Sequence, residues 1–301
     1  MASARSESHT GFDVAAAAQT LLEAWSGSDG LIASLEAVPS PPSITEVYAL
    51  HAAMAQHPLF TSAPLCGLGG YKQGGIGAAI DPASGEPVAA AYGILPRSRL
   101  LREQSPVEPI ASKSAFNLFG LEAEIGFTMA RSLPPRGGAA RGGGGGDAAG
   151  VYTEDEVWAA VRSVHLTIEL VARRFDLKLA GDATSLQSLG DSSCAGAVVL
   201  GAFWSTDDAS CPSPARLAAV QTSIAVNDET RATGGAGNNP LGSPLASLTW
   251  CANHLNTRGL ALQPGELVIA GACCKTRDWA AGDAIAVTFE GLGVVECSIG
   301  E

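Results

Sequence analysis

The sequence is short of basic residues: 18 Lys and Arg stand against 30 Asp and Glu, a formal charge of -12 over 301 residues. Phosphate backbones are held by clustered excesses of Lys and Arg, so a nucleic-acid surface is excluded. Long apolar runs are also missing. Stretches such as Cys194 to Trp204 fall well short of the roughly 20 residues that cross a bilayer as a helix, so no membrane span is expected. The opening residues, MASARSESHTGF, lack the basic-then-apolar order of a secretory signal. The seven cysteines are odd in number and contain no Cys-x-x-Cys pair, which reads as reduced thiols in a cytoplasmic protein. Adjacent Cys273 and Cys274 read as small apolar strand residues.

Common catalytic signatures are absent as well. No Gly-x-Ser-x-Gly elbow supports a Ser-His-Asp hydrolase. His51, His57, His165 and His254 are isolated, without the clustering a zinc site needs. Gly67 to Gly77 carries neither a phosphate loop nor a dinucleotide fingerprint, and the glycines of Pro134 to Gly150 (PPRGGAARGGGGGDAAG) are not followed by Lys-Ser/Thr. With almost no apolar bulk, that insert (134–150) cannot offset its ordering entropy and is expected as a disordered surface loop.

What is present is a cluster of acids inside apolar sequence. In Leu121-Glu122-Ala123-Glu124-Ile125-Gly126-Phe127 the period-two alternation of a strand puts both carboxylates on one face and the apolar residues on the other. A third acid, Glu169, sits within the apolar stretch Val164 to Val171. Anions that close repel, and burying them without a cation is unfavourable, so a divalent metal is the natural partner. Oxygen-only ligation points to a hard ion, Mg2+ or Mn2+.

Punctuation along the chain places these motifs. A first helix is expected after Asp13 as N-cap, running to Ser26-Gly27, and a second after Ser43, with Glu46 completing a capping box and Val47, Leu50, Ala53 and Met54 on one face. Thr153 and Glu156 form another capping box, expected to start a helix through Trp158 and Val161 that stops before the Glu169 strand. Ser243-Pro244 opens a helix ending at Gly259. The last forty residues alternate apolar runs with Gly turns (ELVIAGA, DAIAVTF, VVECSI), read as antiparallel sheet. The fold class is α+β: a helical N-terminal region (1–63), then a mixed, largely antiparallel β-core with peripheral helices (64–301).

The ordered segments GYKQG (Gly70 to Gly74), YGIL (Tyr92 to Leu95), LEAEIGF, Glu156 to Phe175, GDSSCAGAVVLG (Gly190 to Gly201), Asn239 to Leu255 and the closing LQPGELVIAGA…AGDAIAVTFEGLGVVE together resemble the 2-keto-4-pentenoate hydratase family. That family is the branch of the fumarylacetoacetate hydrolase superfamily that includes the 2-oxo-hepta-diene-dioate hydratases and 4-oxalocrotonate decarboxylases. The resemblance runs from about Thr45 to Ile299. It implies a β-roll core, a homo-oligomer, and a small-molecule partner, a 2-oxo or 2-hydroxydienoic acid. It further implies Mg2+ or Mn2+ on Glu122, Glu124 and Glu169, with Lys72 as the active-site lysine. His165, Asp191, Ser192 and Ser193 fall in resembling segments and are expected behind the metal ligands or against the substrate.

Two departures touch the chemistry. The family's Asp-[Phe/Tyr]-Gly is Ala91-Tyr92-Gly93 here, and Ala91 cannot transfer a proton. The Ser usual after the position of Gly271 is Ala272. In addition, Ser192-Ser193 replaces a common Asn-Ala. The implied reaction is hydration of a 2-hydroxy-2,4-dienoate to a 4-hydroxy-2-oxo acid. Decarboxylation of a 4-oxalocrotonate-type acid or keto-enol tautomerisation is the second reading, and a non-catalytic 2-oxo-acid-binding relative the third.

Overall fold

The computed structural model describes residues 11–27, 30–74, 80–81, 83–85, 88, 90–103, 108–136, 150–179, 181–239 and 241–301. The expectation of a disordered insert falls mostly on 137–149, outside the described residues.

The N-terminal helices form where their caps allow. The Asp13 carboxylate accepts the Ala16 N–H at 2.9 Å, and Gly27, at φ 77°, closes the helix Val14–Ser26 in the left-handed conformation. Ser43 caps the helix Ile44–Gln56 by accepting the Thr45 N–H at 3.1 Å. Both bury residues at helical spacing. Leu21, Leu22, Trp25, Tyr48, Leu50 and Met54 share one core with the strand residues Leu121, Ile125, Phe127, Leu166 and Ile168.

The described strands are β1 (Leu68–Gly74), β2 (Ala91–Pro96), β3 (Leu100–Arg102), β4 (Ala111–Ser112), β5 (Leu118–Met129), β6 (Val161–Ala172) and β7 (Ala195–Ser205), followed by β8 (Gln221–Val226), β9 (Glu229–Gly235), β10 (Leu267–Ile269), β11 (Cys274–Thr276), β12 (Ala284–Phe289) and β13 (Gly293–Gly300). They make two mixed sheets. The larger runs β2-β1-β10-β5-β6-β7-β3, with β11 also on β5, and the smaller runs β4-β13-β12-β8-β9. Most pairs are antiparallel; β1 with β10, β3 with β7 and β4 with β13 are parallel.

Two sequence expectations give way to pairing. The capped helix after Thr153 does form with its full capping box, but it ends at Trp158, and Val161 opens β6. The β-branched, alternating run from Val161 fits a pleated surface better than a helix, and β5 is available to pair it. ELVIAGA does not join the C-terminal hairpin: its β10 lies inside the large sheet, parallel to β1 and antiparallel to β5. Leu267, Val268, Ile269 and Ala270 are all buried, as a continuous apolar run in a sheet covered on both faces requires.

Close backbone approaches hold the sheet edge in place. A Cβ on Gly93 of β2 would lie 2.0 Å from the Ser192 carbonyl oxygen, and one on Gly70 of β1 would lie 1.8 Å from that of Leu267. Only glycine fits at either position.

On the inner face of the second helix, His51 is fully buried, and its Nε2 donates to the Leu189 carbonyl at 2.8 Å. Burial holds its pKa down at about 4, below the ordinary value near 6.5. The folded state therefore binds this proton more weakly than the unfolded chain does. The associated stability is complete above about pH 6.5 and is lost as pH falls toward 4, by about 3 kcal/mol for this one group. Urea denaturation of the parent and His51→Gln between pH 7 and 4 should show a shallower decline in the variant; equal slopes would contradict the assignment.

Candidate functional site

The register of β5 against β6 brings the three acids together. Glu122 lies directly opposite Glu169, and Glu124 opposite Thr167. One carboxylate oxygen from each of Glu122, Glu124 and Glu169 falls within 4.8 Å of the others. Glu124 and Glu169 are fully buried, and Glu122 is half-buried. The Gly271 N–H donates to Glu124 Oε2 at 2.8 Å, and the Thr167 hydroxyl donates to the Glu124 carbonyl at 2.9 Å.

Lys72 completes the cluster, its Nζ lying 2.9 Å from Glu169 Oε1. β1 and β6 are separated by β10 and β5. In a flat sheet three strand spacings would hold their backbones about 14 Å apart, so this contact requires the sheet to curl into a roll.

The electrostatics follow from burial. Desolvation, reinforced by Glu169 and Glu122, pushes Glu124 well above the usual carboxylate range. Glu169 is raised to about 7, chiefly by burial, with Lys72 opposing. Burial alone would lower Lys72, but Glu169, Glu122 and Glu124 outweigh it and keep the ammonium protonated. With all three carboxylates ionised against one ammonium, two negative charges would remain, the number that one divalent cation cancels. Glu124 Oε1 and Glu169 Oε2 have no hydrogen-bond partner. An all-oxygen donor set with orphaned buried lone pairs fits a hard divalent ion.

A cavity of about 780 Å³ opens against this cluster, with Lys72, Glu122, Ser193 and Ala272 in its wall. Ala272 thus brings no polar side chain to that wall. Ala91 is buried in an apolar cluster with Val47, Leu186 and Leu189, opposite Gly74 in the β1–β2 ladder.

The other expected residues are placed unevenly. Ser193 reaches the cavity, whereas the Ser192 hydroxyl donates to the Ile94 carbonyl at 2.8 Å and faces away. Ser192, Ser193 and Cys194 run consecutively at φ 50°, 55° and 61°. Non-glycine residues rarely adopt that conformation, so the cavity wall stores backbone strain here. Asp191 is buried in an ion pair with Arg174 and also accepts the Arg174 N–H at 3.0 Å; it fixes the turn and does not line the cavity. His165 lies four residues along β6 from Glu169, about 13 Å by strand rise. Its Nε2 bonds the hydroxyls of Ser163 at 2.9 Å and Thr128 at 3.0 Å, and its ring stacks on Phe203. The structure does not bring His165 to the cavity.

Arg173, Lys275 and Arg277 do line the cavity and were not singled out in the sequence. Arg173 follows Glu169 by four residues, an even spacing that shares a strand face, and this was the available signal. Lys275 pairs with Glu122 across β11 and β5, a relation that local sequence does not carry.

The sequence pattern of the fumarylacetoacetate (FAA) hydrolase C-terminal family matches residues 77–300. This chain belongs to that family of enzymes. It is 31% identical over 148 residues to 2-hydroxyhexa-2,4-dienoate hydratase of Comamonas testosteroni. That alignment covers 49% of this chain and 52% of the relative, so the chain spans about half the length of the curated relative it matches. Among solved structures, 4-oxalocrotonate decarboxylase from Pseudomonas putida G7, complexed with magnesium and adipate, superposes with a TM-score of 0.72 over 97% of this chain and 99% of the other, at 19% identity. Fumarylpyruvate hydrolase from Pseudomonas aeruginosa, with Mn2+ and pyruvate, superposes with a TM-score of 0.51 over 76% and 88%, at 15% identity. These two share the fold. Among the described residues no helix is long and apolar enough to cross a membrane, and all seven cysteines are free.

Because Asp191 neutralises buried Arg174, Asp191→Asn should lower unfolding stability by about 3 kcal/mol while leaving Mn2+ affinity of the folded protein intact. A denaturation midpoint matching the parent's, combined with lost metal binding, would contradict this.

Proposed function

We propose that this chain is a divalent-metal-dependent lyase that adds water to a 2-hydroxy-2,4-dienoate, giving a 4-hydroxy-2-oxo acid. The observation that carries the reading is the convergence of Glu122, Glu124 and Glu169 within 4.8 Å, with Lys72 beside them on the cavity wall. The hydratase named among its relatives and the divalent ions in solved proteins of this fold support it.

Glu122, Glu124 and Glu169 would hold Mg2+ or Mn2+, which when bound supplies a Lewis acid for the carboxylate and keto oxygens of a 2-oxo acid and stabilises its enolate. The chain's own groups do the rest. The Lys72 ammonium pairs with the substrate carboxylate and can deliver a proton from Nζ as the dienol ketonises. Ser193, in the strained turn, offers a hydroxyl that orients a water molecule but is too weak a base to ionise it. Ala272 and buried Ala91 give no proton acceptor, so water addition draws its driving force from the electron sink.

That missing base favours a second reading. Cleaving a C–C bond beside an enolisable 2-oxo acid needs the same electron sink and no activated water, so decarboxylation of a 4-oxalocrotonate-type acid fits the same residues.

Assaying 2-hydroxydienoates and 4-oxalocrotonate with Mg2+ and Mn2+, with products identified, separates the readings: water addition supports the first, and carbon dioxide release without hydration supports the second. Lys72→Met should lose at least 100-fold in turnover, in line with the usual contribution of a positioned proton donor, yet bind Mn2+ at least as tightly as the parent, since a competing cation is gone. Glu124→Gln should weaken Mn2+ binding by at least tenfold, because one anionic ligand is lost. Unchanged affinity in calorimetry would remove Glu124 from the metal site.

A further inference from the structure

The ladder that β5 makes with its two short partners is interrupted beside the carboxylate cluster. Ile269 of β10 pairs with Gly126, and Cys274 of β11 pairs with Ala123. Ala270 and Cys273 still donate to β5, to the Ile125 carbonyl at 3.0 Å and the Ala123 carbonyl at 2.8 Å. Gly271 and Ala272 are therefore extra residues, bulged out of the ladder next to Glu124. Gly271 stands at φ 100°, where a side chain would be strained. Its N–H, freed from strand pairing, donates to Glu124 Oε2 at 2.8 Å.

Glycine is also the residue least able to keep such a pose unaided. Two neighbouring asparagines hold the bulge from outside the strand. Asn239 Nδ2 donates to the Gly271 carbonyl at 3.0 Å, and Asn238 Nδ2 donates to the Cys273 carbonyl at 3.0 Å, one on each side of Ala272. Asn239 is buried, and its Oδ1 accepts the hydroxyl of Ser247 at 2.7 Å. Ser247 is itself fully buried on the helix Pro244–Asn256. A carbonyl can only accept, so the amide nitrogen must face Gly271 and the amide oxygen the hydroxyl. An unbroken series of hydrogen bonds thus runs from the helix to one oxygen of Glu124, while the other oxygen, Oε1, has no hydrogen-bond partner.

We propose that Asn239, braced by Ser247, is a positioning residue for Glu124: by fixing the Gly271 backbone it keeps Oε2 occupied and turns Oε1 toward the divalent ion. The proposal rests on the metal reading above and assigns to it two residues outside the carboxylate cluster. A charge-assisted N–H bond to one carboxylate oxygen fixes the direction of the other. Without the asparagine donor, the Gly271 carbonyl loses its partner and the glycine is free to rotate. Glu124 would then have to be ordered by the metal itself, at a cost in affinity. Groups that orient metal ligands from behind typically contribute about 10- to 100-fold in this way.

The test is Mn2+ calorimetry on the full chain with Asn239→Leu, which keeps the size of the side chain and removes both bonds. Affinity should fall by about tenfold or more, with a melting curve verifying that the variant is folded. The same substitution made in a Glu124→Gln background should cost little further, because the ligand it positions is already impaired. A merely structural role would give the same loss in both backgrounds. Ser247→Ala should weaken Mn2+ binding by roughly threefold, the order of one neutral hydrogen bond, and it decides the matter if Asn239→Leu fails to fold. Parent-like affinity in folded Asn239→Leu, or in Ser247→Ala where that variant decides, would overturn the positioning role while leaving the carboxylate site standing. So would a loss that repeats in full beside Glu124→Gln. A parent that binds no Mn2+, or parent-like affinity in Glu124→Gln alone, would overturn the metal reading and this role with it.

Discussion

The mutual repulsion of three carboxylates held side by side in a dry place is the constraint around which the molecule is organised. Nothing local favours Glu122 facing Glu169 across a ladder, since like charges opposite one another destabilise a sheet. The register is imposed instead by the other face. Leu121, Ala123, Ile125 and Phe127 on one strand and Leu166, Ile168 and Leu170 on its partner are all fully buried, and a slip of one residue would turn Glu122 and Glu124, or Thr167 and Glu169, into that apolar core. The apolar face thus holds the acids in a position they would not choose.

Keeping that arrangement folded requires positive charge from outside β5 and β6, which explains the shape of the sheet. Lys72 reaches Glu169 only because the sheet curls, and β1 approaches β10 closely only because Gly70 lacks a side chain. Gly93 performs the same service on the far side, letting the Ser192 carbonyl press against β2. The left-handed run Ser192 to Cys194 is in turn anchored by Asp191, whose carboxylate is neutralised by Arg174. Second charges, close glycine approaches and a strained turn are successive consequences of one buried anionic cluster.

How much of this the sequence disclosed follows the range of each signal. Caps at Asp13, Ser43, Thr153 and Ser243 act within one helical turn, and each lies where the local pattern indicates. The Glu-x-Glu alternation likewise states which side chains share a face. Where a strand's partner decides, local reading falters: Val161 is taken by β5, and β10 crosses into the large sheet. Asp191 lies in a resembling segment, but its ion pair is with Arg174, seventeen residues earlier, a partner that no local pattern indicates. Arg277 and Arg173 meet at Phe119 from just past the ends of β11 and β6, and no short window of sequence contains that meeting.

The segregation of charge within the cavity bears on why the chain tolerates methyl groups at 91 and 272. A general base is an additional anion or a group that becomes cationic, and either would perturb a cluster whose charges already balance only with a divalent ion. An ionised carboxylate at position 91 would sit among Val47, Leu186 and Leu189, where desolvation raises its pKa until it holds its proton and ceases to act as a base. Ala91 is therefore consistent with its apolar surroundings, and Asp would gain a catalytic role there only if those surroundings became polar as well. Under the proposed reading, chemistry at this site depends on the electron sink and on Lys72. The cationic part of the wall, Arg173, Lys275 and Arg277, adds no anion near the carboxylate cluster. A reaction that leans on enolate stabilisation is the one such a charge distribution favours, whether the enolate is next attacked by water or loses carbon dioxide.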